Sequence, residues 1–288
     1  MSSPKLINRP VQQAELISRR AAISQMTIAV STCGCLSGCK TAPMTGRRQL
    51  LMMPESQEVS LGLQSYEEVA GQGKESTNVR YRELVSRVGH RIAAVSQRGD
   101  FQWEFRTLAS DEQNAFCLPG GKVAVYDGIL PVCENEAGLA VVMSHEIAHA
   151  LARHGGERMS QNAAVQSVKT AIGYATQKQN AVKREALLQA YGYASEYGVL
   201  LPYSRKHESE ADHIGIMLMA QAGYDPDEAP RFWKRFGAVS ESGAKPAEFM
   251  STHPSDDRRA ADLIRLLPEA QTHYGKAELK TGLGESIS

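Results

Sequence analysis

His145-Glu146-Ile147-Ala148-His149 sets two imidazoles one helical turn apart with a carboxylate beside the first. On a helix, residues four apart share a face and lie roughly 6 Å apart along the axis, close enough for both rings to hold one metal ion. This is the H-E-x-x-H pattern of zinc hydrolases, in which the Glu takes a proton from a water polarised by the metal. The flanking Ala137, Leu139, Ala140, Val141, Val142, Met143, Ala150 and Leu151 make the helix apolar nearly all round, so it is expected to be buried. Two histidines and a glutamate in such a place need partners, and a metal ion satisfies all three.

Catalytic zinc keeps three protein ligands and one open position. The stretch Ser204-Arg205-Lys206-His207-Glu208-Ser209-Glu210-Ala211-Asp212 offers a third ligand in Glu208. Asp212 lies on the same face, where it can hold a histidine ring through its other nitrogen, and Glu210 points elsewhere. An oxyanion formed during acyl transfer wants a further positive or hydrogen-bonding group, for which His253, Arg259 and Tyr203 are candidates. Thr252-His253-Pro254 precedes a helix, so His253 is expected to approach the metal as a fourth ligand of a resting state or as an oxyanion partner.

Taken together these residues resemble the HtpX/Ste-type zinc metalloendopeptidases and fit best their soluble BepA/LoiP/Oma-like branch. Further matching segments are Thr45-Gly46-Arg47-Arg48-Gln49-Leu50, Asn114-Ala115-Phe116 with Pro119-Gly120-Gly121, Arg153-His154-Gly155, and Thr252-His253-Pro254 with Arg259. The resemblance implies one Zn2+ per chain held by His145, His149 and Glu208, with Glu146 as general base and Asp212 behind the ligands. It implies an α+β, mostly helical zincin (gluzincin) fold with a small β-sheet beside the zinc-binding helix. It also favours peptide binding at a sheet edge near Asn114, Ala115 and Phe116, through backbone pairing.

Apolar residues at helical spacing predict helices over 55–71, 77–97, 134–154, 161–176, 183–195, 208–222, 226–239 and 255–266. Alternation over 101–109 and the run 123–126 after the Pro-Gly-Gly turn predict two strands. Residues 191–203, rich in Tyr, are read as core in preference to a flap over the cleft. A single metallopeptidase domain is expected over 40–268, followed by a polar tail, 269–288, expected to be disordered.

Residues 1–20 carry Lys5, Arg9, Arg19 and Arg20 against Glu15 and lead into a mildly apolar run too short to span a membrane. Ser18-Arg19-Arg20 resembles a twin-arginine export signal, and Leu36-Ser37-Gly38-Cys39 resembles a lipobox. Residues 1–39 are therefore read as a signal peptide ending at Cys39, whose acylated thiol would tether the protein in the periplasm to a bacterial membrane. Beyond the leader only Cys117 and Cys133 remain, too few for a disulfide framework. Formal net charge is +0, with no basic stripe, which argues against a nucleic-acid partner. The function expected is hydrolysis of peptide bonds in misfolded or misassembled envelope proteins, with envelope assembly complexes as further partners. The alternative is a zinc-stabilised, chaperone-like assembly or binding lipoprotein, which would need the ligands but not Glu146.

Overall fold

The computed structural model describes residues 39–241, Phe249, His253 and residues 257–287. The chain divides into Met1–Lys40 and Thr41–Ser288, and the second unit is the subject below. The expected leader lies outside the described residues except for the backbone of Cys39.

Helices dominate: α1 (Glu55–Gln72), α2 (Val79–Val95), α3 (Glu136–Leu151), α4 (His154–Ala175), α5 (Ala181–Ser195), α6 (Leu201–Gln221), α7 (Glu228–Glu241) and α8 (Asp257–Lys276). A three-stranded sheet has the order β1-β3-β2, with β1 (Glu104–Leu108) parallel and β2 (Ala115–Leu118) antiparallel to the central β3 (Lys122–Tyr126). Strand β2 is not among the two strands that alternation and the apolar run predict. Its alternation is nonetheless effective. Ala115 and Cys117 join the main core with α3, while Phe116 and Leu118 pack with Tyr66, Ala70, Leu108 and Tyr126 beneath α1.

Helix α3 is the centre of the unit, and every one of its residues except His149 is buried. Asn135 opens it by accepting a hydrogen bond from the backbone N–H of Gly138 at 2.9 Å. Arg153 ends it in the left-handed region, at φ 54°. That backbone is costly for a residue with a Cβ, and the side chain offsets it with a buried ion pair to Glu58 at 2.7 Å and a hydrogen bond to the Met53 carbonyl at 3.1 Å. The sharp turn lets α4 begin at His154 instead of 161.

A π-helical turn, Glu196–Leu200, joins α5 to α6, and Pro202 sits in the first turn of α6 where its missing N–H costs nothing. Helix α6 therefore starts before the predicted 208. Tyr193 and Tyr197, expected in the core, are 68% and 66% exposed and stack on each other. Gly215 lets α6 approach α3 closely: a Cβ there would stand 3.2 Å from the His145 backbone nitrogen.

The carboxy-terminal residues correct the expectation of disorder. Helix α8 continues through Pro268 to Lys276, and the following chain folds back along α3. The carbonyls of Glu285 and Leu283 accept the N–H groups of Glu136 and Ala137, each at 3.0 Å. These are the helix-opening donors that lack a partner within the helix, so the tail is ordered by a need that its polar composition does not display. Ile287, 3% exposed, adds apolar burial. Deleting residues 277–288 is expected to cost about 3 kcal/mol, a fall in Tm on the order of 10 °C, measurable by thermal unfolding. An unchanged Tm would show that the tail contributes no stability.

Candidate metal centre

Helix α3 turns His145 and His149 toward α6, where Glu208 and Asp212 occupy successive turns of one face. His253, from the segment between α7 and α8, completes the group. One donor atom from each of His145, His149, Glu208 and His253 lies within 4.8 Å of every other. Nε2 of His145 stands 3.1 Å from Nε2 of His149 and 3.2 Å from Nδ1 of His253. An oxygen of Glu208 is 3.0 Å from Nδ1 of His253 and 3.3 Å from Nε2 of His145. Donors bound tetrahedrally at about 2.0–2.1 Å to one ion stand roughly 3.4 Å apart, so these separations suit a small divalent cation.

The electronic states of His149 and Glu208 agree with that use. Nδ1 of His145 faces Asp212 at 3.1 Å and donates to it, which leaves the Nε2 lone pair facing its neighbours. Burial pushes His149 well below its ordinary value and keeps it neutral. Burial opposes the charge on Glu208, but His145 and His253 hold its carboxyl far below the usual carboxylate range. Its Oε1 is buried and makes no hydrogen bond. Lone pairs converging on an unsatisfied buried oxygen are what a cation would stabilise.

Glu146 lies beside the donor set without joining it, with one oxygen 3.4 Å from Nε2 of His253. That oxygen is also buried without a hydrogen-bond partner. Burial pushes the carboxyl up to about 7, opposed by His253 and assisted by Glu208. A carboxyl poised there exchanges protons readily. Among the described ligating residues, His145 and Glu208 are buried while His149 and His253 are half-buried, so the group opens on the His149 and His253 side.

Arg259, a candidate oxyanion partner, is 5% exposed, with one guanidinium nitrogen 3.5 Å from a Glu208 oxygen. Its guanidinium pairs with both oxygens of Asp212 at 2.7 and 2.8 Å and stacks 3.7 Å above the Trp233 ring. Arg259 thus fixes the carboxylate that fixes His145. The side chain of Tyr203 and residues Thr252 and Pro254 lie outside the described residues. Asn114, Ala115 and Phe116 run into edge strand β2, which adjoins α3, but the Phe116 ring packs against Tyr66 and Tyr126, on the opposite face of the sheet from α3. Cys117 and Cys133 are buried free thiols.

The sequence reading gave no chemical role to His154, Glu157, His207, Glu210 or Arg47, which form a second buried polar group against His149. Nδ1 of His154 is 2.8 Å from Nδ1 of His149, and its Nε2 is 3.0 Å from Glu210. The segments Arg153-His154-Gly155 and Thr45-Gly46-Arg47-Arg48-Gln49-Leu50 carry the family resemblance. Their residue types alone did not say that they meet.

Residues 80–266 match the family model described as Peptidase family M48. The chain is 38% identical over 232 residues to the mitochondrial metalloendopeptidase OMA1 of Schizosaccharomyces pombe, covering 80% of this chain and 66% of that protein. It is 29% identical over 209 residues to a putative beta-barrel assembly-enhancing protease of Vibrio cholerae, covering 68% and 43%. With the beta-barrel assembly-enhancing protease of Escherichia coli it shares 26% over 249 residues, covering 83% and 50%. The chain thus spans from under half to about two thirds of the length of these relatives. A match through most of the helical unit, with the H-E-x-x-H helix and Glu208 inside it, establishes that the chain belongs to peptidase family M48.

Proposed function

We propose that this protein is a zinc metalloendopeptidase in which His145, His149 and Glu208 hold the ion and Glu146 is the general base. The observation that carries the reading is the convergence of these donor atoms beside an unpaired, buried Glu146 carboxyl. Bound zinc supplies a Lewis acid that polarises the scissile carbonyl and lowers the pKa of a water to near 7. Glu146 would take a proton from the attacking water and hand it to the departing amine. Asp212, locked by Arg259, keeps the His145 ring in the tautomer that presents Nε2. Strand β2, paired with β3 on one side only among the described residues, offers its other edge to an extended peptide.

His253 stands within the same spacing as the three other donors, which favours a resting state closed by a fourth ligand over a role at the oxyanion. Substrate would then have to displace it.

The natural substrates proposed are misfolded or misassembled envelope proteins, supported by relatives named for beta-barrel assembly. No helix among the described residues is long and apolar enough to cross a membrane. Attachment is proposed through an acylated Cys39 after export, on the strength of Leu36-Ser37-Gly38-Cys39.

Cleavage of unfolded casein by purified protein is expected to stop on chelation and to return with zinc. Glu146→Gln should lower the rate about 10²–10⁴-fold while metal stoichiometry stays unchanged. Full activity in that variant would overturn the mechanism, and a wild-type protein that binds zinc without cleaving would favour the assembly or binding module. His253→Ala should raise basal cleavage and weaken metal binding; a loss of activity on the order of 10²-fold would instead place His253 at the oxyanion. In cells, Cys39→Ser should move the protein from the membrane to the soluble fraction, and an unchanged distribution would reject the lipid anchor.

A further inference from the structure

The amino-terminal segment of the unit reaches the metal centre through part-buried and buried polar contacts. Nε of Arg47 lies 2.7 Å from Glu210, while Nη1 and Nη2 lie 3.0 and 2.6 Å from the two oxygens of Glu157. The Thr45 hydroxyl also donates to Glu210. Glu210 holds Nε2 of His154 at 3.0 Å, and Nδ1 of His154 meets Nδ1 of His149 at 2.8 Å. Glu157 holds Nε2 of His207 at 3.0 Å, and the His207 ring stacks on His154 with centroids 4.3 Å apart. One guanidinium therefore joins the carboxylate that holds His154 at its end to the one that holds the ring stacked on its face.

The hydrogen positions follow. With Nε2 of His149 turned toward the other donors, its Nδ1 carries the proton and donates to Nδ1 of His154. His154 then carries its own proton on Nε2 and donates to Glu210. The chain ends on a carboxylate whose charge Arg47 balances. Without Arg47, Glu210 and Glu157 would be buried carboxylates deprived of their shared cation, free to turn away from the rings they fix.

We propose that Arg47 is a positioning residue for the metal-binding ring of His149, acting through Glu210 and His154; this rests on the metallopeptidase reading. The role requires the planar fork, because a lysine ammonium is a point donor and does not reproduce paired contacts to two carboxylates.

The test uses the full chain carrying Arg47→Gln or Arg47→Lys, with Arg48→Gln as a control for charge. Zinc affinity is measured by competition with a chromophoric chelator, the ligand field by visible spectra of the cobalt(II) form, and kcat and KM on an unfolded casein peptide. Arg47→Gln is expected to bind zinc about 10–100-fold more weakly, to shift the cobalt bands, and at saturating zinc to lower kcat with KM unchanged. Arg47→Lys should recover part of the affinity, and Arg48→Gln should match wild type. Wild-type affinity together with a wild-type cobalt spectrum in Arg47→Gln would overturn the proposal. If Arg47→Gln does not fold, the same two measurements on Glu210→Gln decide, with weaker binding and a shifted spectrum expected and unchanged values overturning it. Metal binding is read without substrate, so a wild-type protein that binds zinc but cleaves nothing sinks the peptidase reading and leaves the positioning result standing.

Discussion

Three imidazoles and an ionised carboxylate face one another across 3.0 to 3.5 Å beside the most deeply buried helix of the protein. Burial there would ordinarily favour the neutral form of every group. Burial keeps His149 neutral beside a charged Glu208, and the proton that Asp212 and Glu208 favour on His145 against its burial does not satisfy them all. A cation among the lone pairs does, and the surrounding structure holds the donors where one cation reaches them all.

Two arginine–carboxylate units stand behind the two imidazoles of α3. Arg259 grips Asp212, which meets His145 directly. Arg47 grips Glu210, which meets His149 through one further ring, His154. Both units use a guanidinium to keep a buried carboxylate charged and aimed, which a freely rotating side chain would not do. Arg47 precedes the first residue of α3 by 89 residues and Arg259 follows its last by 108. The carboxy-terminal tail also returns to α3, to satisfy its first N–H groups. Distant parts of the chain thus close on a single helix, and the metal centre inherits the stability of the whole unit.

Much of this was legible locally. His145, Glu146 and His149 declare themselves by the helical period, and Glu208 and Asp212 by the same period on a second helix. The eight long helices of the described residues match the helical spacing, with differences at their ends. Those differences have causes that a hydrophobic pattern does not carry: the left-handed turn at Arg153, held by a distant Glu58, and the π-helical turn that extends α6 toward α5. The tail misled through its composition. Polar, glycine-containing sequence usually lacks the means to order itself, and here the missing partner was the open end of α3.

The sequence by itself determined the identity and spacing of the donors and the family to which they belong, because helical periodicity is a local property. Beyond Asp212, it did not decide what stands behind those donors. The stacking of Arg259 on Trp233 and its pairing with Asp212 had no local signal, and Arg47, Glu157 and His154 carried none of their joint role. Which charges meet across a hundred residues depends on how helices pack, and only the tertiary structure settles that, since pairing is set by approach in space and not by separation along the chain.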